Sequence, residues 1–176
     1  MKNSAVRSVI TLALICLAAS LLLSLTNAFT KGEIERAEAA AEEEALRAVM
    51  PGADGFSLLG DTANLPATVT AVYRDNGHTG YVFRLETSGF SSGLRILCAI
   101  GNDGKIIAVK TLSSNETDGY GKVCETAEYE GRYAGKDETL SGVDAISGAT
   151  KTTNGYTGAI RDAFTAFAAL QNKEEQ

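Results

Sequence analysis

The hydrophobic pattern changes period several times along the chain. Residues 9–29, VITLALICLAASLLLSLTNAF, contain no charge, and a helix of that length spans roughly 30 Å, about the hydrocarbon core of a bilayer. Directly afterwards Ile34, Ala37, Ala41, Ala45, Leu46 and Val49 recur at helical spacing among Ala and Glu. This predicts a further helix over 34–49, ended by Met50-Pro51-Gly52. An irregular stretch follows to Pro66. Strand-like runs then appear at 68–74, 81–87, 94–100 and 105–112. Their links carry turn chemistry: Asp75-Asn76-Gly77, a small-residue loop at 88–93, and the hairpin signal Asn102-Asp103-Gly104. Consecutive strands joined this closely make an antiparallel sheet. After a polar loop at 113–120, a short helical piece is expected over 121–133. A closing amphipathic helix over about 153–170 places Tyr156, Ile160, Ala163, Phe164, Phe167 and Leu170 on one face. Strands first and helices afterwards predict an α+β fold with helices covering one face of the sheet. The chain accordingly divides into a cytoplasmic amino terminus at 1–8, a transmembrane helix at 9–29, a connecting helix and irregular segment at 30–66, a folded domain at 67–172 and a tail at 173–176.

A cleaved signal peptide competes with a retained anchor, because Thr26-Asn27-Ala28 is a passable small-residue cleavage site. The apolar run exceeds a usual signal core, and a helical stripe continues directly after it, so the retained anchor is the better reading. Lys2 and Arg7 precede the span while Lys31 and Arg36 follow it, a slight bias toward a cytoplasmic amino terminus. With the long remainder behind a single span, the folded domain is expected on the extracytoplasmic side. All 22 Asp and Glu residues follow the span, whereas two of the 16 Lys and Arg precede it. The soluble part is therefore acidic, which argues against nucleic acid or an anionic membrane surface as partner.

Three cysteines and one histidine leave little material for metal or triad chemistry. Cys16 lies in the span. Cys98 and Cys124 read as buried thiols, with a disulfide outside the cell as the alternative. His78 sits in a turn and reads as solvated. No GxGxxG opens a βαβ unit and no GxxxxGK[ST] occurs, so the usual nucleotide cradles are missing.

The chemistry is concentrated in Asp144-Ala145-Ile146-Ser147-Gly148-Ala149-Thr150, placed directly before the closing helix. Such a turn presents a hydroxyl at a helix mouth, where free N–H groups and the positive end of the macrodipole favour phosphate. Taken alone, the string is equally a loop with Ser and Gly as turn residues.

Asp144-x-x-Ser147-Gly148-Ala149-Thr150 resembles the attachment motif of the FMN-binding domain family, in which the final Thr carries FMN through a phosphoester. Asn115-Glu116-Thr117-Asp118-Gly119-Tyr120-Gly121 is similar to that family's Glu-Thr-x-Gly-x-Gly loop, and it too follows a hairpin with an Asp-Gly turn. The layout resembles the anchored, FMN-carrying subunits of Rnf-type ion-translocating ferredoxin:NAD oxidoreductases. Their relatives in sodium-translocating NADH:quinone reductase are usually longer. The resemblance implies that 67–172 is an FMN-binding domain with covalent FMN at Thr150, attached by a separate flavin transferase that uses FAD as donor. It further implies the other membrane and peripheral subunits of such a complex as partners, electron transfer between neighbouring redox centres as the role, and no independent catalytic site in this chain. A standalone FMN protein and a non-covalent anion-binding module are the alternatives.

Within this reading Gly148 and Ala149 keep the turn slender, Asp144 fixes it by accepting backbone N–H bonds, and Ser147 does similar work or donates to phosphate. Lys151 either neutralises the phosphate or is a solvated charge. Glu116 and Thr117 either cap the following short helix or line the isoalloxazine ring, near which the resemblance places this loop. Gly119 and Gly121 then allow close backbone approach. The family commonly has Pro or a small residue where this chain has Asp118, and often Leu where it has Tyr120, so Tyr120 is a candidate to stack on the ring. No ionisable residue within the span marks an ion path.

Overall fold

The computed structural model describes the backbone of residues 2–60 and 64–174, and the side chains of these except 2–6, 28, 33–38 and 174. Two compact units are distinguished, Met1–Glu43 and Glu44–Gln176. The first is helical throughout, as the greater part of helix α1, Lys2–Val49. Its stretch Arg7–Gly32 is long and apolar enough to cross a membrane, with a mean hydropathy of 2.5. Apolar side chains including Val9, Leu12, Leu17, Leu23 and Phe29 are exposed all along it. Hydroxyls that would be costly in hydrocarbon are satisfied within the helix: Thr11, Ser20 and Thr26 donate to the carbonyls of Arg7, Cys16 and Leu22 at 2.8–2.9 Å. The two helical stretches expected from the sequence are thus a single helix. A lone Gly32 costs only about 1 kcal/mol, too little to interrupt good helix formers on both sides. Of the expected stripe, Ile34 and Ala37 lie outside the described side chains, and Ala41 is exposed.

The second unit is built on five strands: β1 Phe56–Leu59, β2 Val69–Asp75, β3 Gly80–Ser88, β4 Ser92–Gly101 and β5 Ile106–Ser113. They form an antiparallel sheet in simple sequential order, with register fixed by pairs such as Val72 with Phe83, Phe83 with Cys98, and Cys98 with Val109. The four expected strands are present within two residues at each end. The fifth, β1, falls in the stretch read as irregular. It is only four residues long and carries no alternation of burial, which leaves almost no sequence signal. Part of that stretch, residues 61–63, lies outside the described residues.

Alternate residues of each strand point to opposite faces, and both faces are covered. On one side Tyr81, Phe83, Leu85, Ile96, Cys98 and Ile100 pack with Tyr156, Ile160, Ala163 and Phe167 of helix α3, Thr150–Glu174. On the other, Tyr73, Val82, Leu97 and Ala99 pack with Ala45, Leu46, Val49 and Met50 from the end of α1. The expectation that helices cover one face is therefore corrected, and the compact unit that holds the sheet takes in the end of α1 from Glu44. Val82, Leu97 and Ala99 are apolar on what would have been a solvated face, and the end of α1 is their cover. Between β5 and α3 lie a short 3-10 helix, Gly121–Glu125, and helix α2, Ala127–Gly131. Tyr129, Tyr133 and Tyr156 meet ring to ring there, with centroids 5.5–5.6 Å apart. Their hydroxyls are satisfied by one another, by Thr157 and by Thr111. Cys98 and Cys124 are both buried and free. Burial pushes the Cys98 thiol far up and the Cys124 thiol to about 11, so neither is a reactive thiolate.

The turn after β2 is organised by Asp75, which is fully buried. Its carboxylate accepts from the Thr79 hydroxyl at 2.6 Å and from the amides of Asp54, Gly77 and Thr79 at 3.1–3.2 Å. Burial alone would raise its pKa; the Thr79 hydroxyl and the three amides outweigh burial and hold it below the ordinary 3.8. A carboxyl depressed in this way contributes stability that is complete above its unfolded value and is lost as pH falls through the lower folded value. Thermal unfolding of the detergent-solubilised chain from about pH 7 to about pH 2 should therefore show an acid loss that is smaller in Asp75→Asn. Asp75→Ala should cost on the order of 3 kcal/mol at neutral pH, since it removes a charged acceptor shared by four hydrogen bonds; a variant as stable as the parent contradicts this account.

Candidate functional site

Three loops converge where the two sequence motifs meet, and a carboxylate joins them. Glu116, only 5% exposed, accepts the Ser91 amide at 2.9 Å through Oε1 and the Thr152 hydroxyl at 2.9 Å through Oε2. It thereby ties the β3–β4 turn to the first turn of α3. Two glycines make room for it. A side chain at Gly89 would meet Oε1 of Glu116 and the Thr152 backbone, and one at Gly121 would run into Oε2 and Cβ of Glu116. The β3 end and α3 also touch at Gly155, where a Cβ would collide with the Ser88 carbonyl.

The turn before α3 is held by the Ala149 amide donating to the Ile146 carbonyl at 3.0 Å and by Gly148 at φ +83°, a left-handed conformation that other residues resist. The Thr153 amide donates to the Ala149 carbonyl at 2.9 Å, so the amides of Thr150, Lys151 and Thr152 are the first-turn N–H groups that lack intrahelical acceptors. Thr150 is the first residue of α3 and is exposed. Beside it lies a cavity of about 200 Å³ lined by Phe90, Glu116, Thr117, Tyr120, Gly121, Gly148, Ala149, Lys151 and Thr152.

Seven of the expected site residues are therefore brought together at this cavity: Glu116, Thr117, Tyr120, Gly121, Gly148, Ala149 and Lys151. Asp144, Ser147, Gly119 and Thr150 itself do not line it, although the two chain neighbours of Thr150, Ala149 and Lys151, do. Asp144 and Ser147 are exposed, and among the described residues neither makes a hydrogen bond, so the turn-fixing role expected for Asp144 is taken by the Ala149 amide and Gly148. The capping role open to Glu116 and Thr117 is also excluded. The 3-10 helix has no side-chain cap, and α2 is capped by Thr126, whose hydroxyl accepts the Tyr129 amide at 3.3 Å. Gly119, at φ +76°, serves the left-handed turn itself, whereas Gly121 makes room for Glu116. Asp118 pairs with Lys122 at 2.7 Å. Sequence reasoning missed Phe90 and Thr152. Phe90 had a signal, as the single large side chain in Ser88-Gly89-Phe90-Ser91-Ser92-Gly93; Thr152 had none.

Helix-start amides, a neighbouring Lys, two glycine-lined approaches and exposed aromatics form a donor set suited to a flat cofactor bearing phosphate. Residues 89–165, which contain every residue lining the cavity, match the FMN-binding domain family. The chain thus carries an FMN-binding domain. Residues 1–49 match the RnfG N-terminal region, so both ends of the chain point to the same assembly of domains. The chain is 29% identical over 188 residues to the G subunit of the ion-translocating oxidoreductase complex of Cereibacter sphaeroides, covering 94% of this chain and 85% of the relative. It is 27% identical over 169 residues to the protein of the same name from Methanosarcina acetivorans, covering 88% and 90%. To the G subunit of the proton-translocating ferredoxin:NAD(+) oxidoreductase complex of Clostridium ljungdahlii it is 22% identical over 162 residues, covering 86% and 85%.

The bridging role of Glu116 is open to measurement. Glu116→Ala should destabilise the fold by on the order of 3 kcal/mol and speed amide exchange at Ser91, because buried donors lose their acceptor. Glu116→Gln keeps a carbonyl for the Ser91 amide and should lose less. Unchanged exchange at Ser91 in the Ala variant would falsify the bridge.

Proposed function

We propose that this chain is the FMN-carrying electron-transfer subunit of a membrane-bound, Rnf-type ion-translocating oxidoreductase, with FMN joined as a phosphoester to Oγ1 of Thr150. The observation that carries the reading is the meeting of the two motifs. Thr150 stands exposed at the start of α3, and its neighbours Gly148, Ala149 and Lys151 line one cavity together with Glu116, Thr117, Tyr120 and Gly121. The relatives' names, and their coverage of nearly the whole chain, support membership of such a complex, whose other subunits are then the partners.

FMN, when bound, supplies reversible one- and two-electron chemistry. The protein's part is to hold and orient it. First-turn amides of α3 and the positive end of its dipole favour the phosphate, and Lys151 adds a cation beside it. Gly148 keeps the backbone slim, so Thr150 can enter the active site of another enzyme. Among the described residues no base accepts a hydrogen bond from Oγ1 of Thr150, and an unassisted Thr hydroxyl is a weak nucleophile. Its activation therefore belongs to a flavin transferase. In that step the Oγ1–P bond forms, the pyrophosphate bond of FAD breaks, AMP leaves, and the hydroxyl proton passes to a base of the transferase.

The apolar stretch Arg7–Gly32 serves as the retained anchor. Lys2 and Arg7 on one side, and a long acidic domain behind a single span on the other, support an extracytoplasmic FMN domain. There a covalent link prevents loss of the cofactor by dissociation.

Full-length protein coexpressed with a flavin transferase and solubilised in detergent should be yellow and gain the mass of one FMN phosphoryl group. Thr150→Ala should lose both while changing stability by no more than about 0.5 kcal/mol, as an exposed substitution. A parent chain without the added mass, or an adduct that persists in Thr150→Ala, overturns the attachment. Failure to co-purify with polytopic membrane subunits overturns the assignment to a complex.

A further inference from the structure

Phe90 is 72% exposed and Tyr120 63% exposed. Among the described residues of the folded unit, Leu58 is exposed to a comparable degree and Ile107 to a lesser one, and neither lines the cavity. Two outward aromatics at the rim of one small cavity mark a surface held ready for a flat apolar ligand. Their settings are complementary. A methyl group at Gly148 would lie 3.8 Å from Cδ1 of Tyr120, so this ring stands over the residue two before Thr150. The Lys151 ammonium lies 5.6 Å from the centroid of Phe90, so that ring stands beside the residue after Thr150. The two aromatics thus bracket the attachment residue along the chain. The loop that carries Phe90 is not loose: Ser91, its neighbour, donates its amide to Glu116, and Gly89 closes onto the Ser91 carbonyl at 3.0 Å.

We propose that Phe90 is a positioning residue for the cofactor: with Tyr120 it forms an aromatic clamp that stacks on the isoalloxazine ring, and the Glu116 bridge holds Phe90 at the correct distance from Thr150. This rests on the reading that FMN is carried at Thr150, and it adds what the tether alone cannot supply. A phosphoester fixes one end of a long ribityl chain and leaves the ring free to swing. Stacking on a side chain whose backbone is anchored to the start of α3 fixes the other end. Phe is well suited to this, because its ring has no hydrogen-bonding group to draw it toward solvent and only two side-chain torsions to immobilise. Glu116 acts on Phe90 through the backbone, by accepting the amide of the next residue, Ser91.

The test uses full-length protein in detergent, flavinylated by coexpression, with intact mass recorded first and flavin fluorescence and its anisotropy second. The Tyr120 phenol quenches flavin emission by electron donation when the ring is held against it, and Phe90 on the other side of the clamp keeps the ring there and restrains it. In Phe90→Ala the adduct should remain, while the stacked-to-unstacked ratio falls roughly two- to twelve-fold, the factor that one aromatic pair is worth. Emission then rises and anisotropy drops. Phe90→Trp should restore the anisotropy, whereas Phe90→Leu, which keeps an apolar side chain of similar bulk, should not. Emission and anisotropy equal to the parent in Phe90→Ala, with the adduct present, overturn the clamp while leaving the attachment standing. Absence of the adduct from the parent chain overturns both. A Phe90→Leu protein indistinguishable in anisotropy from the Trp variant assigns the position to simple packing and also overturns the clamp.

Discussion

The buried carboxylate of Glu116 is the constraint around which the site is assembled. Three chain segments far apart in sequence must approach within side-chain reach: the β3–β4 turn, the 115–121 loop and the start of α3. Apolar packing alone does not bring polar turns together, because their backbone groups are equally content in water. A carboxylate that accepts one backbone amide and one hydroxyl does so directionally, and it can be buried only if both donors are present. Gly89 and Gly121 follow from this requirement. Each faces the carboxylate where a Cβ would collide with it, so the glycines of the site serve an internal bridge as much as any ligand.

Helix α3 must start at one defined point for this arrangement to work, and the core sees to that. Tyr156, Ile160, Ala163 and Phe167 are locked against the sheet, and the Tyr129, Tyr133 and Tyr156 rings interlock beneath the 121–133 segment. Gly155 lets the first turns of α3 sit directly on the end of β3. The exposed hydroxyl of Thr150 is consequently held by a helix whose next turns cannot shift without opening the core. The attachment role proposed for Thr150 would draw on that combination of exposure and rigid backing.

Most of this was legible in the sequence for physical reasons that can be named. The strands show as short apolar runs bounded by turn residues, and Asn102-Asp103-Gly104 marks its hairpin because Gly104 adopts φ +72° there. The six apolar positions chosen on the closing helix are all buried, since a 3.6-residue period survives any detail of packing. What escaped was information held in distance and not in pattern. Strand β1 was too short to show a period. The second cover of the sheet came from the end of α1, whose Ala45, Leu46 and Val49 were visible as a stripe without a visible partner. Glu116 looked equally like a cap, because a Glu ahead of a helix has the same local signature whether it bonds forward or reaches across to Ser91. Phe90 stood out among Ser and Gly, but nothing along the chain indicates that residues 90 and 151 meet.

The size of the cavity bears on why a covalent link would be used at all. At about 200 Å³ it lies below the roughly 300–1,000 Å³ typical of sites that enclose a small molecule. On the proposed reading an isoalloxazine there would be only partly enclosed, and reversible affinity drawn from so little burial would be weak. A tether at Thr150 removes the need for that affinity, since the ring meets its site at the high effective concentration of an intramolecular contact. The openness that would weaken binding then becomes useful. A ring edge left outside the protein can approach the redox centre of a neighbouring subunit without a lid having to move. On the proposed attachment, the exposed threonine and the small cavity would thus have one common reason.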